Sequence, residues 1–296
     1  MNIDTIPYSY PLIKVEGRYC CIADVSSKDN YFQIYSYPEM KHLKSCIRKG
    51  KAKNEIPVLM SFDFTGNNIV ALSTASETIL DYNIVTDSTQ AIKYPKGLSL
   101  IRVAKYGDLY YTYSVLGDTR VVTLDGKGKI VSRLFPTPKV EKVFGNFNAN
   151  EIWQSLIVAN KKTIALLTTG GDVVGFYDIA SKQYNKVVGP YGEPMLKELS
   201  MNGNPAYGVM FSGYRYAQFG NKTGNLYAFF RGENHLRNKE KDIENHLRVF
   251  NTKGELIKEY ILDKNLDPNS FVVDEDKKCV IFVLPDNKNQ FWKFQL

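Results

Sequence analysis

Three histidines stand in this chain of 296 residues, His42, His235 and His246. The last two share one charged stretch, Arg231 to His246 (RGENHLRNKEKDIENH), in which Glu233, Asp242 and Glu244 are the carboxylates that would have to complete a metal site. Zinc ligands recur at short paired spacings, and this stretch matches none of them, so neither a metal nor a cofactor is expected. No Gly-x-Ser-x-Gly elbow is present for a nucleophilic serine, and no glycine-rich phosphate loop leads into a helix. Asp63, Asp178 and Asp274 fall near strand ends, where a glycan-cleaving enzyme would place two facing carboxylates. Sequence does not set their separation, and solvated turn acids are the favoured reading.

The four cysteines are Cys20, Cys21, Cys46 and Cys279, without a Cys-x-x-Cys spacing. Adjacent residues of a strand point to opposite faces, so Cys20 and Cys21 are not expected to bond each other. Cys20 and Cys279 could approach across neighbouring units, but buried free thiols are the commoner outcome.

The charge balance is 38 − 31 = +7, ordinary for a soluble domain. Nucleic-acid surfaces cluster basic residues with aromatics on one element, whereas the one basic run, Arg48 to Lys53, reads as a solvated loop. No nucleic-acid partner is expected. No apolar run reaches the roughly 18 residues that span a bilayer, and the first residues, MNIDTIPYSYPLIK, lack the apolar core of a secretory signal. This start fits either a cytoplasmic protein or an exported one whose signal was replaced by a start methionine.

The elements that must position these residues are short strands, in keeping with 20 Tyr and 16 Phe. Phe62 to Pro95 reads as a four-strand meander: Phe62 to Phe64, Ile69 to Ser73, Thr78 to Ile84 and Ala91 to Tyr94, divided by Gly66-Asn67-Asn68, Ser76-Glu77 and Thr86-Asp87-Ser88. Similar units start their second strands near residues 19, 69, 109, 164, 226 and 279. Such a meander cannot bury both of its faces alone, so the repeat predicts an all-β, six-bladed β-propeller with four-stranded antiparallel blades, one domain over residues 1–296. The sixth unit (Ser270 to Val273, Cys279 to Leu284, Phe291 to Phe294) lacks a fourth strand, and Asn2 to Ile6 is expected to supply it and close the ring.

The pattern turn, IVALS, turn, TILDYNI resembles the six-bladed TolB-like propellers found as envelope and lipoprotein-type proteins of Bacteroides-like bacteria, and the resemblance spans nearly the whole chain. That family often carries Gly-x-Gly-Pro-Asn-Glu-Phe after a fourth strand. Here Gly50, Asn54 and Glu55 match, Ala52 and Lys53 stand for the second Gly and the Pro, and Ile56 replaces the Phe. The resemblance implies export to the cell envelope, with a lipid anchor in the precursor as an option, and a binding role with no shared catalytic residue; a cytoplasmic location stays open.

In a propeller, the loops between second and third strands and from the fourth strand to the next blade emerge on one face around the channel. Three long segments fall there: Arg231 to His246, read as a short charged helix; Gly189 to Gly213, a loop rich in Gly and Pro with Tyr191, Met195, Tyr207 and Phe211; and Pro136 to Glu151, with Phe144 and Phe147 followed by Trp153. Tyr191, Tyr207, Tyr214 and Arg231 are the residues expected to line the channel mouth, since aromatic side chains stack on sugars or anchor protein partners. The expected function is a monomeric, non-catalytic binding or scaffold module for a protein or carbohydrate partner; the alternative is a glycan-cleaving enzyme with carboxylates in the channel. Deleting residues 1–7 is expected to lower the melting temperature by several degrees, and an unchanged melting curve would show the closing strand to be misplaced.

Overall fold

A computed structural model of the protein describes residues 12–25, 27–139, 149–201, 204–209, 212–233, 244–266, 270–283 and 291–296. The expected closing strand, residues 2–6, lies outside them. Six antiparallel meanders follow one another, in the strand order of a six-bladed β-propeller. The first contains β1 (Leu12–Glu16), β2 (Tyr19–Ala23), β3 (Asn30–Ser36) and β4 (His42–Arg48). The second holds β5 (Ser61–Thr65), β6 (Asn68–Ser73), β7 (Thr78–Asn83) and β8 (Thr89–Lys93). The third is β9 (Leu100–Tyr106), β10 (Leu109–Ser114), β11 (Thr119–Leu124) and β12 (Ile130–Pro136).

After a single helical turn, α1 (Ala149–Ile152), the fourth sheet runs β13 (Ser155–Ala159), β14 (Thr163–Thr168), β15 (Val173–Asp178) and β16 (Tyr184–Val188). A two-stranded hairpin follows, β17 (Leu196–Met201) and β18 (Asn204–Val209). The fifth sheet is β19 (Tyr214–Phe219), β20 (Leu226–Arg231), β21 (Asn245–Phe250) and β22 (Leu256–Leu262). The sixth has three strands among the described residues, β23 (Ser270–Asp274), β24 (Cys279–Val283) and β25 (Phe291–Gln295). Two compact units are distinguished, one formed by the described residues of Met1–Tyr110, Leu124–Ile130 and Asp267–Leu296, the other by Tyr111–Thr123 and Val131–Leu266.

Burial grades across each sheet. Second strands such as β6 and β14 and the third strand β7 are buried at nearly every position, so both faces are covered, whereas fourth strands such as β16 and β22 are mostly exposed. Asx turns close the hairpins between third and fourth strands. Asn83 accepts from the amides of Val85 and Thr86, Asp125 from Lys127 and Lys129, Asp178 from Ser181, and Asn251 from Lys253 and Glu255.

Several boundaries depart from the sequence reading. Gly189 to Gly213, expected as a loop, contains β17 and β18; the run LKELSM does not alternate cleanly, which hides the strand, although Asn202-Gly203 is a strong hairpin dipeptide. The charged insertion is shorter than expected, because Arg231 ends β20 and Asn245 and His246 open β21. Its expected helix, like Phe144 and Phe147, lies outside the described residues. The Arg48 to Ile56 segment is a built turn. Ile56 is fully buried, its amide donates to the Arg48 carbonyl at 3.0 Å, and the Glu55 carboxylate accepts the Ala52 amide at 3.1 Å. A Cβ at position 50 would fall 1.9 Å from Glu55 Oε2, so the glycine and the glutamate belong to one device.

All four thiols are free and buried. Cys20 packs with Ile13 and Ile22, while Cys21 packs on the other side with Phe32 and Cys46, as alternation requires. Burial pushes the Cys20 and Cys46 thiols up to about 12.

Within the first unit, polar side chains stitch first strands together. Ser61 Oγ accepts the Val103 amide at 3.3 Å, and Ser270 Oγ accepts that of Ile13 at 3.0 Å. Both serines open their strands ahead of a phenylalanine, a repeat invisible to hydrophobic patterning. Asp63 spans three strands: on β5 itself, it receives Lys14 Nζ from β1 at 2.5 Å and the Lys105 amide from β9 at 2.8 Å. Replacing Asp63 with Ala removes both acceptor contacts at once. The expected cost is about 2–3 kcal/mol in denaturant unfolding, below the fully buried scale because Lys14 keeps some water contact; a loss under about 0.5 kcal/mol would refute the stitch.

Candidate functional site

The expected site residues Tyr191, Tyr214 and Arg231 all lie in the second unit. They meet around the end of the fifth sheet where the second strand connects to the third. Phe230 on β20 is the centre. Its cross-strand partners are Tyr214 on β19 and His246 on β21. The Tyr214 and Tyr191 rings each sit 5.1 Å from the Phe230 ring, and the Arg248 guanidinium lies 4.2 Å from its centroid. A cation on an aromatic face and edge-on rings are each favourable beyond their burial.

Beneath this cluster runs a buried ion pair. Asp172, in the turn between β14 and β15, accepts Arg248 Nη1 at 2.5 Å and the Tyr214 hydroxyl at 3.1 Å on the same oxygen. Its other carboxylate oxygen accepts the Tyr191 amide at 3.3 Å, while its backbone bonds to Gly189 and Gly192. One carboxylate thus ties the loop after β16 to the fifth sheet. A Cβ at Gly189 would stand 2.1 Å from Asp172 Oδ2, so only glycine permits the approach. Burial works against the Arg248 charge, but Tyr214, Asp172 and Glu259 outweigh it and hold the guanidinium above its ordinary range. Burial, reinforced by the Asp172 charge, likewise drives the Tyr214 hydroxyl far up.

The network reaches the surface through Glu259, Glu244 and Tyr191. Arg248 Nε donates to Glu259 Oε1 at 2.6 Å, and His246 lies between the two glutamates, 3.2 Å from Glu259 and 3.5 Å from Glu244. The Tyr191 hydroxyl donates to the exposed Glu244 carboxylate. Gly232 passes so close under the Tyr191 ring that a Cβ would stand 2.7 Å away.

The predicted residues therefore differ in role. Tyr191 is half-buried and faces the rim. Tyr214 is 1% exposed and supports it from below. Arg231 turns its guanidinium to Glu233 at 3.0 Å, and Tyr207 occupies β18 opposite Glu198. Asp172, Phe230 and Arg248 were not singled out from sequence, because a buried ring or charge in a strand or its turn carries no spacing signal, and Glu244 was considered only as a carboxylate for a metal site. Of the other apolar residues singled out in these segments, Trp153 is core, its carbonyl accepting the Tyr113 hydroxyl at 2.8 Å, whereas Met195 is exposed.

The carboxylates considered for glycan cleavage are each engaged: Asp63 as described, Asp178 in its own Asx turn with Ser181, and Asp274 with the Tyr37 hydroxyl at 2.9 Å and Lys277 at 3.3 Å. Among the described residues no cluster of three or more His, Cys, Asp or Glu side chains has the placement to hold a metal ion, and no helix is long and apolar enough to cross a membrane.

Sheets of this number and order define an all-β six-bladed propeller. The family model for TolB-like 6-blade propeller-like proteins matches residues 3–276, and the chain belongs to that family. No curated protein matches the sequence. Similar solved structures include a Bacteroides fragilis protein provisionally described as exported (12% identity, 95% of this chain and 82% of that one, TM-score 0.60). A DUF4221 family member from Bacteroides vulgatus is similar at 10% identity over 98% and 93% of the chains, TM-score 0.56. Virginiamycin B lyase of Staphylococcus aureus matches at 12% over 100% and 87%, TM-score 0.55. At these identities the likeness is one of fold.

The Tyr191 hydrogen bond is the first cause that holds the Glu244 carboxyl below its ordinary range, with His246 adding to it. A depressed carboxyl stabilises the fold above its unfolded pKa, and that contribution is lost as pH falls through the lower folded value. In Tyr191→Phe the Glu244 carboxyl should rise toward the ordinary glutamate value of about 4.3, read by NMR titration. An unmoved titration would mean that the contact does not set the charge.

Proposed function

We propose that the protein is a non-catalytic binding module of the cell envelope, holding a protein or carbohydrate partner at the end of the sheets where second strands connect to third strands. The observation that carries this reading is the Tyr191–Glu244 pair held at the surface by the buried Asp172–Arg248 pair. A binding surface needs rigid aromatic and charged groups more than it needs titrating ones, since ordering loose side chains on binding costs affinity. Tyr191 combines a large flat face with a hydroxyl, the combination that favours both sugar stacking and protein contacts. The half-buried Arg231–Glu233 pair, next to the Gly232 that passes under Tyr191, extends the same surface. The engagement of Asp63, Asp178 and Asp274 by donors favours binding over glycan cleavage, which requires one carboxyl free to give a proton and one free to attack or activate water. The envelope assignment draws on the family and on the similar Bacteroides fragilis protein described provisionally as exported, and a lipid anchor in the precursor is compatible with it.

The test compares the intact protein with Tyr191→Ala in a cross-linked pull-down from the source organism and on a glycan array. The intact protein should retain a specific protein or glycan that Tyr191→Ala loses by about tenfold or more, the scale of a hot-spot aromatic, with the circular dichroism spectrum unchanged. Equal retention by both forms would overturn the placement of the site, and glycan hydrolysis by the intact protein would overturn the non-catalytic assignment.

A further inference from the structure

A concave site lies in the first unit, at the end of its sheets where first strands turn into second strands and third into fourth. It is a cavity of about 310 Å³ between the second sheet and β9–β10, at the lower end of the roughly 300–1,000 Å³ range of small-molecule sites. Its floor is Asp81 on β7, whose side chain is 5% exposed. One Asp81 oxygen accepts Asn68 Nδ2 at 2.6 Å; the other accepts Lys105 Nζ at 2.5 Å and the Tyr110 hydroxyl. Burial, then the hydrogen bond to Asp81, drives the Tyr110 hydroxyl far up, so it stays a donor to that carboxylate. Asn83 Nδ2 donates to Asn68 Oδ1 at 3.2 Å, extending a fixed polar floor across two strands.

The rim is less committed. Lys105 Nζ gives one hydrogen bond, to Asp81, from three protons. Gln90 donates Nε2 to the Gly126 carbonyl at 2.7 Å, which fixes its amide while its oxygen takes no hydrogen bond from the described residues. Asp108, carried out on the Gly107-Asp108 turn, is exposed and accepts no hydrogen bond from a described residue. Asp81, Asp108 and Lys105 sum to one negative charge, which disfavours a phosphate or carboxylate ligand. No aliphatic side chain lines the cavity and Tyr110 is 2% exposed, which disfavours a flat apolar ligand. What fits is a small neutral ring bearing several hydroxyls, since each hydroxyl both donates and accepts and so matches a rim that alternates acceptors with an ammonium donor.

We propose that this cavity binds one neutral polyhydroxylated ring, a monosaccharide or cyclic polyol, with Asp108 and Gln90 accepting its hydroxyl protons and Lys105 donating to its oxygens above the fixed Asp81. The site is independent of the Tyr191 surface and stands or falls separately. Saturation-transfer NMR on the intact chain, with glucose, galactose, N-acetylglucosamine and myo-inositol as probes and inorganic phosphate and spermidine as controls, reads it directly. At least one ring should bind, and Asp108→Ala and Gln90→Ala should each weaken it by about tenfold or more, the scale of a hydrogen bond to a charged or fixed group, while Tyr191→Ala leaves it unchanged. Both substituted side chains sit at the rim, and circular dichroism checks the fold. Binding of no ring, equal binding by Asp108→Ala, or a response to phosphate or spermidine in place of the rings would overturn the proposal.

Discussion

A sheet whose central strands are buried on both faces has no stable existence by itself. In β6 and β14 almost every residue is inaccessible, so each sheet must be covered twice, and the cheapest cover is another sheet of the same kind. Apolar area removed from water contributes about 25 cal/mol per Å², and a single uncovered face would forfeit that over a whole strand pair. The repeat follows from this requirement. So does the burial gradient, because fourth strands such as β16 and β22 meet water along most of their length.

Packing of this kind limits where charge can go. A carboxylate placed between first strands must find its partners there, and Asp63 does so by taking an ammonium from one neighbouring strand and an amide from another. Asp81 and Asp172 follow the same rule nearer the sheet ends, with Lys105 and Arg248 as their cations and a buried tyrosine hydroxyl on each. Such pairs return little net stability after desolvation, but losing one partner is expensive, so they hold geometry firmly. Each then supports a surface: Asp172 fixes the loop that carries Tyr191, and Asp81 forms the floor beneath Asp108 and Gln90. Rigid support with a few uncommitted polar groups above it is what a recognition site requires, at either end of the sheets.

Much of the fold was legible from local chemistry. The turns read at Gly66-Asn67-Asn68, Ser76-Glu77 and Thr86-Asp87-Ser88 divide the second sheet, and the strands between them read correctly to within a residue or two. The failures have identifiable sources. β17 lacks alternation, so its hairpin was read as loop, and Arg231 and His246 were assigned to an insertion although both pair within the fifth sheet. Of the candidate site, Tyr191 was singled out because it sits in a Gly-rich loop, Glu244 was weighed only as a metal ligand, and Arg248 was passed over because nothing in its neighbours marks it.

By itself, then, the order of residues determined which segments extend and turn, and that their apolar faces must be shared among repeated sheets, because those outcomes depend on neighbours within a few positions along the chain. Tertiary structure alone decided which charges meet. Asp172 and Arg248 are 76 residues apart, and Lys14 and Asp63 are 49 apart. Contacts at that separation are made by sheet packing and leave no local pattern, so the groups that fix both candidate surfaces became visible only when the sheets were in place.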